Sequence, residues 1–482
     1  MDSELTEFAT PTIQKLLAMQ KKNFIADGIP SAAVRIDRLI RAKELLQKNK
    51  DAIVAAVSED FGHRNAETTL LADIVASVAA YKHAIKHVKQ WMTPEKRGLQ
   101  FPLGLLGARA EVRYQPKGVV GIVAPWNFPI GMMFIPLSNA LAAGNRALIK
   151  PSEHTPRTSN LIAKLVGEIF DKTEVSVVTG GPSVGAAFVE QPFDHIIFTG
   201  PTSVGKLVMA AAAKNLTPVT LELGGKSPVF IGKTADLQKV SERIAFGKFM
   251  NAGQICLSPD HVFIDEARKD AFADVFTKTV SNLYPTMLNN DDYTSIISPR
   301  HRERLETWIE DAREKGADVR IINPANETFE GQNKTNKLPG ALILNATEDM
   351  LVMQDEIFGP VLPVMTYKNV EEVVASIAEK DHPLAVYYFG EDKAEEETFL
   401  NGTLSGGATV NDVIWHGGQD SLPFGGVGAS GMGHYHGVDG FKTFSHGRTI
   451  MRTSKLNITK IIGFLPPYTK TIKNTIKREI KG

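Results

Sequence analysis

Short, unbroken apolar runs constrain this chain more than any other feature. Val119-Val120-Gly121-Ile122-Val123 has no polar alternation, as a strand buried on both faces should not. Comparable runs follow at Ala147-Leu148-Ile149, Val175-Ser176-Val177-Val178, His195-Ile196-Ile197-Phe198 and Val219-Thr220-Leu221. Helical stretches at 130–143, 155–170 and 203–213 separate them. Strand–helix alternation at spacings of roughly 20–30 residues predicts an α/β fold with a parallel sheet covered on both faces. Ligands of such sheets sit beyond the C-terminal strand ends. A second alternating region runs from about 228 to 410, with strands at Val229–Ile231, Val262–Ile264, Val361–Val364 and Ala385–Tyr388. The polar stretch Asn323 to Pro339 reads as an exposed loop. The boundary between the two regions falls near 225, where Gly224-Gly225 can serve as a hinge.

The first hundred residues read as helices, one over 33–58 and another over 68–91. Two alternating segments, within 102–116 and 444–453, read as strands outside both sheets and able to pair with each other or with another subunit. From Lys455 to Gly482 the chain has seven basic residues and one acid, Glu479, and reads as a solvated helix. Over all 482 residues, 54 Lys+Arg balance 54 Asp+Glu, giving no general pull toward nucleic acid. A single cysteine excludes an internal disulfide and any multi-cysteine metal centre. The polar start from Met1 to Thr10 is unlike a signal peptide, and no run approaches the length of a membrane span. A cytoplasmic protein without stable membrane insertion is the expectation.

Two glycine patterns invite misreading. Gly200-Pro-Thr-Ser-Val-Gly205-Lys206 resembles a phosphate loop, but Leu207 stands where magnesium needs a hydroxyl. What survives is a helix start behind a strand, able to hold a phosphate. Gly426-Val-Gly428-Ala-Ser-Gly431 matches a dinucleotide fingerprint without a preceding strand, so a tight loop is the better reading. His434, His436 and His446 lack the companion ligands of a metal site, and none is expected.

Five segments carry chemistry. Pro125-Trp126-Asn127-Phe128-Pro129 follows the first strand and places an amide at the ligand end of the sheet, to stabilise an oxyanion or cap the next helix. Lys150-Pro151-Ser152-Glu153 sets a cation and an acid near ribose hydroxyls, or Ser152 at a helix start. Leu221-Glu222-Leu223 sets an acid among apolar neighbours, where desolvation suits a general base. Gly253-Gln254-Ile255-Cys256 holds the lone cysteine, either a small core residue or a nucleophile. Gln354-Asp355-Glu356-Ile357-Phe358-Gly359-Pro360 is an acid cluster or part of a site.

In this order, along nearly the whole chain, Pro-Trp-Asn-Phe-Pro, Lys-Pro-Ser-Glu, Phe-Thr-Gly, Glu-Leu-Gly-Gly-Lys, Gly-Gln-Ile-Cys and Glu-Ile-Phe-Gly-Pro resemble the aldehyde dehydrogenase superfamily. The ending from Pro423 to Gly437, with Phe441-Lys-Thr-Phe-Ser-His446, resembles its class 3 branch, and within that branch the bacterial coniferyl aldehyde dehydrogenases. The fatty aldehyde dehydrogenases share much of that signature. The resemblance implies a Rossmann-like NAD(P)-binding domain over 1–101 and 116–225, and an α/β catalytic domain over 226–426. It further implies a β-strand oligomerisation arm over 102–115 and 440–460 and a basic tail over 461–482. Cys256 is then the nucleophile and Glu222 the base for the deacylating water. The Asn127 amide and the Cys256 backbone N–H form the oxyanion hole. Lys150 and Glu153, beside Ser152, hold the adenosine ribose. Gly200 and Gly205 frame the pyrophosphate turn, with Trp126 and Leu223 also at the cofactor, and Glu356 holds the nicotinamide ribose beside Phe358. Pro201 departs from the polar residue common there, which shifts phosphate binding toward Thr202. The cofactor is NAD or NADP, the partner a small aldehyde, and a homodimer is expected. Phe128, Met132, Met133, Ile255 and Trp415 are the expected walls of an apolar substrate tunnel.

Overall fold

The computed structural model describes residues 2–101, 103–453 and 455–481. Its first sheet has the order Gly431–Met432, Val219–Glu222, His195–Thr199, Val119–Val123, Arg146–Lys150, Val175–Val177. All pairs are parallel except the outermost, where Gly431 lies opposite Glu222. Successive strand residues serve opposite faces. Val120, Ile122, Ala147 and Ile149 join one core with the helices Gly131–Ala143 and Pro156–Ile169. Val119, Leu148, Ile196 and Phe198 join another with Pro182–Val189 and Thr202–Ala213. That double burial is why these strands read as continuous apolar runs. Chain order reverses beside Val119–Val123, which opens a crevice at its C-terminal end.

The second sheet has the order Asp318–Ile322, Gly340–Leu344, Val361–Tyr367, His261–Asp265, Pro228–Ile231, Ala385–Phe389, Gly407–Val410. It is parallel but for its first pair. A third sheet joins Glu95–Arg97, Arg109–Pro116 and Ser445–Arg452, with all eight residues of the last strand paired to the second. The two stray segments therefore pair with each other.

Several elements differ from expectation. The helix expected over 33–58 is two, Ala32–Lys48 and Lys50–Asp60, broken at Asn49. Within 68–91, Thr69–Val75 is π-helical before the helix Ala76–Trp91. Glu95–Arg97, placed with the first domain by sequence, pairs instead with the arm strand. Helix Gly437–Thr443 packs on Gly131–Ala143, so the arm strand begins only at Ser445. The 323–339 loop is largely open, yet Phe329, Lys337 and Leu338 are buried. The tail has a helix, Lys470–Lys481, that buries only Ile472. Among the described residues no helix is long and apolar enough to cross a membrane.

One buried ion pair fixes the segment that follows the central strand. Arg64 and Asp73, both inaccessible, meet at 3.0 Å. Asp73 Oδ1 accepts the N–H groups of Ile130 and Gly131 at 3.0 and 2.7 Å, capping the helix that begins there. Arg64 Nη1 donates to the Asn127 carbonyl at 2.7 Å. The guanidinium lies between the Phe61 and Phe128 rings. Substituting Asp73→Ala leaves Arg64 buried without a counter-charge and uncaps the helix. The expected loss is on the order of 3–5 kcal/mol, read as a lowered urea midpoint against wild type; a midpoint within error of wild type contradicts this account.

Candidate active site

A cavity of about 1820 Å³ opens where the C-terminal ends of both sheets face each other. It is lined by Pro125–Phe128, Thr199–Val204, Glu222–Lys226 and Ile255–Leu257, together with Glu356 and Phe358. That exceeds the usual single-ligand pocket of about 300–1,000 Å³ and suits a dinucleotide beside a smaller substrate.

Cys256 reaches the cavity through a strained turn. After helix Leu237–Phe249, Asn251, Ala252 and Gly253 take φ of 52°, 52° and 73°. At Gly253 any Cβ would stand 2.3 Å from the Gly359 carbonyl oxygen, so glycine is required. Buried Gln254 braces the turn: its side chain donates to the Asn251 and Ser295 carbonyls and accepts from Ile297 N–H. Tyr387 holds the Leu257 carbonyl at 2.6 Å. Burial pushes the Cys256 thiol up to about 12, and the nearby Glu356 and Glu222 carboxyls add to that.

The Asn127 amide donates to the Gln254 carbonyl at 3.0 Å, tying the first turn to the cysteine turn. Asn127 does not cap the helix after it; Asp73 does. Glu222 is buried at the last position of its strand, and neither carboxyl oxygen has a hydrogen-bond partner. Burial raises its pKa well above the ordinary carboxyl value. The Gly426–Gly431 segment is the loop that brings Gly431 alongside it, and Ser430 accepts Leu223 N–H at 3.0 Å.

Glu356 and Phe358 come from a loop fastened on three sides. Lys226 bonds Asp260 at 2.6 Å and the Val352 and Asp355 carbonyls. Asp260 accepts Ile357 N–H at 2.9 Å, and Arg304 donates to the Glu356 and Ile357 carbonyls. Phe358, at φ 50°, sets its ring edge-on to Trp126 at 5.3 Å. Burial lifts Glu356 to about 8, with Asp260 contributing and Lys226 and Arg304 opposing.

The remaining expected residues lie around the cavity rather than all on its wall. Gly200 and Thr202 line it; Gly205 lies beneath, where a Cβ would meet Leu223 at 2.6 Å. Thr202 Oγ1 donates to the Ala429 carbonyl, and its helix is capped by Pro201 without a side-chain bond. Lys150 is buried behind the wall, with Nζ on the Pro151 carbonyl and 3.6 Å from Glu153. Ser152 does not cap the next helix: Thr155 is its N-cap, while Ser152 Oγ accepts His154 N–H and Asp60 takes the first N–H groups. Phe128, Met132, Ile255 and Trp415 line the cavity, whereas Met133 points into the core and is fully buried; Ile135 and Phe246 complete the wall. Among the described residues no three His, Cys, Asp or Glu side chains gather as metal ligands.

A dinucleotide fits these features. Gly200 lines the cavity ahead of the helix that starts at Thr202, leaving the start of that helix open to a phosphate, and a Cβ at Gly224 would strike the Glu356 carboxylate at 2.1 Å. One Glu356 oxygen, Oε1, is buried with no partner, as a ribose-holding carboxyl awaiting its ligand would be.

Residues 18–450 match the aldehyde dehydrogenase family. The chain belongs to that family. A probable coniferyl aldehyde dehydrogenase of Caulobacter vibrioides is 49% identical over 97% of this chain and 96% of its own. A coniferyl aldehyde dehydrogenase of a Pseudomonas species is 48% identical over 95% and 94%. A substrate-bound AldH of Staphylococcus aureus superposes with a TM-score of 0.89 at 34% identity, over 96% of this chain and 99% of that one. The protein is thus an NAD(P)-dependent enzyme that oxidises an aldehyde to the acid, built on the aldehyde dehydrogenase fold.

Sequence reasoning missed Arg64, Asp73, Gln254, Asp260 and Arg304, which fasten the turns and loops that carry Asn127, Cys256 and Glu356. It also missed His154 and His301, which meet across the cavity. Only Gln254 stood inside a quoted motif, where it passed for part of a turn.

Because both acids raise the Cys256 pKa, Glu356→Gln and Glu222→Gln should each lower it. Alkylation by iodoacetamide in the free enzyme should be slow near neutral pH and rise with pH. Each variant should shift that rise to lower pH; an unshifted rise in both contradicts the electrostatic account.

Proposed function

We propose that the enzyme oxidises hydroxycinnamaldehydes of the coniferaldehyde type to their acids, with Cys256, Glu222 and Asn127 as the catalytic residues. The supporting observation is the wall leading to Cys256. Phe128, Met132, Ile135, Phe246, Leu257, Trp415, Phe424 and Tyr435 offer an apolar, aromatic-rich lining suited to a conjugated ring. Two relatives of nearly half identity carry the name of that substrate. An alkyl chain would find similar burial there, and long alkanals are the alternative.

The Cys256 thiol gives up its proton to solvent, the thiolate adds to the aldehyde carbon, and the carbonyl oxygen gains negative charge. One Asn127 N–H is engaged by Gln254; the other, with the Cys256 backbone N–H, stabilises that charge. NAD(P), when bound in this cavity, would supply the hydride acceptor, and loss of hydride from the adduct would leave an acyl thioester on Cys256. Glu222 then takes a proton from water, which attacks the thioester and releases the acid. A carboxyl raised by burial is a strong base once deprotonated, which suits this step near neutral pH. Lys150 and Glu153 hold the adenosine ribose, with Ser152 shaping the turn. Gly200, Gly205 and Thr202 flank the pyrophosphate, and Glu356, Phe358, Trp126 and Leu223 surround the nicotinamide end. Glu153 disfavours a 2′-phosphate, so NAD is the preferred form.

The spans 1–101 with 116–225 and 226–426 serve as cofactor and catalytic domains. The strands Arg109–Pro116 and Ser445–Arg452 leave a free edge at the second, which we assign to a homodimer contact. A lone cysteine that must stay reduced fits the cytoplasm.

Absorbance of reduced cofactor tests this directly. Coniferaldehyde should exceed decanal in kcat/KM, and the reverse order selects the alkanal reading. Cys256→Ala should abolish turnover on every aldehyde, and residual wild-type-like activity would reject the nucleophile. Activity should fall as pH drops through the raised Glu222 pKa, because the base is lost on protonation. In Glu222→Gln that acid limb should vanish along with most deacylation, leaving a stoichiometric burst of reduced cofactor.

A further inference from the structure

Seven cations stand against one acid between Lys455 and Lys481, in a chain that is neutral overall. The rest of the protein is therefore net acidic, and positive charge is concentrated in this one short segment. The helix Lys470–Lys481 sorts it by face. Ile472, Ile476 and Ile480 recur at every fourth position and form one stripe, while Lys470, Lys473, Lys477 and Lys481 lie together on the adjoining flank. Ile472 is buried where it meets the turn at Gly463, so the helix is docked at its start. Ile476 and Ile480 carry the stripe outward, at 47% and 80% exposure. Glu479 pairs with its neighbour Arg478 at 3.1 Å, and among the described residues none of the tail lysines has a carboxylate within ion-pair distance.

The chain leading into that helix is just as open: Ile461, Phe464, Leu465 and Tyr468 are all exposed. A second apolar feature lies at the same end of the arm. Arg452 pairs with Arg109 and Arg97 with Ala110, so the tail leaves the three-stranded sheet at the end where the loop 98–108 connects its first two strands. That loop holds Phe101 and Leu105 almost fully in solvent. Lys96, Arg97, Arg109 and Arg452 are exposed around it. Nucleic acid would match the charge and leave the isoleucines and Phe464 without a role. An apolar protein face would match the stripe and leave the lysines without one. An anionic lipid surface uses both, taking the apolar side chains to the acyl boundary and the lysines to the headgroups.

We infer that the tail helix, together with the 98–108 loop, is a docking surface for an anionic lipid bilayer. The helix has 12 residues and lies along the surface, since no described helix is long and apolar enough to cross it. Adsorption is reversible and weakens with salt, because much of it comes from lysines that stay in water. The cavity with Cys256 is lined by other elements, so its chemistry does not require the bilayer.

Vesicle sedimentation of the purified full-length enzyme tests this. The probes are vesicles of phosphatidylcholine alone and of phosphatidylcholine with about one-third phosphatidylglycerol. The enzyme should bind the anionic vesicles about tenfold more tightly than the neutral ones, and raising salt from about 50 mM to about 500 mM should release it. Ile476→Ser/Ile480→Ser and Lys473→Gln/Lys477→Gln should each weaken binding by about tenfold, and Phe101→Ser/Leu105→Ser should weaken it as well. All three variants change exposed side chains outside the cavity, so turnover in solution and mass by size exclusion should match wild type. Equal binding to both vesicles, or undiminished binding in either tail variant, overturns the proposal. A fall in mass in the isoleucine variant also overturns it and assigns the stripe to a second copy of the chain. Duplex DNA bound as tightly as the anionic vesicles, and equally well by the isoleucine variant, rejects the lipid surface in favour of nucleic acid.

Discussion

The Arg64–Asp73 pair is the constraint on which the site depends. Asp73 spends one oxygen on the guanidinium and the other on the opening N–H groups of the Gly131–Ala143 helix. Arg64 spends a nitrogen on the Asn127 carbonyl. Two residues from the helical N-terminal region thereby set the direction in which the Pro125–Pro129 turn leaves the sheet. Asn251 bonds the same Asn127 carbonyl from the catalytic side, at 3.1 Å. One carbonyl oxygen is thus the meeting point of the two halves, and Asn127 and Cys256 inherit their relative position from it. A buried pair of this kind adds little net stability over apolar packing, but it permits few alternative geometries.

The reactive groups are left unsatisfied where the supports are satisfied. Asp260, beside Lys226, is held well below the usual carboxyl range, and its hydrogen bonds are complete. Glu222 and Glu356, a few residues away along the same segments, are raised and have unpartnered oxygens. Burial alone therefore does not distinguish function from structure. A directly bonded cation does: Lys226 bonds Asp260 at 2.6 Å, whereas among the described residues no cation lies within ion-pair distance of Glu222 or Glu356. The three buried acids divide into Asp260, which fastens a loop behind the cavity wall, and Glu222 and Glu356, which line the cavity itself.

Sequence made most strands buried on both faces legible, because Val119–Val123 or His195–Thr199 then have no polar alternation to blur them. It failed at Asp318–Ile322, an edge strand carrying Asp318 and Arg320, and at Gly340–Leu344 and Gly407–Val410, which open on glycine and follow irregular chain. The reactive residues were legible because each sits in a short segment whose chemistry is local. Their supports were not. Arg64 lies 63 residues from the carbonyl it holds, and Arg304 52 from Glu356. Nothing in either neighbourhood signals the partner. Met133 shows the opposite failure: on a helix buried on nearly every side, adjacent methionines look alike in sequence, and only the packing decides that Met132 faces the cavity.

The thiol's environment bears on how such an enzyme avoids damage. A thiolate kept permanently ionised would be open to oxidation at all times. Here burial and two acids hold Cys256 in the thiol form, so the free enzyme keeps its nucleophile masked. A cationic ring bound in the same enclosed space favours the thiolate. Nucleophilicity is then coupled to occupancy of the cavity, and the same desolvation that suppresses the free thiol strengthens every charge interaction formed once the site is filled.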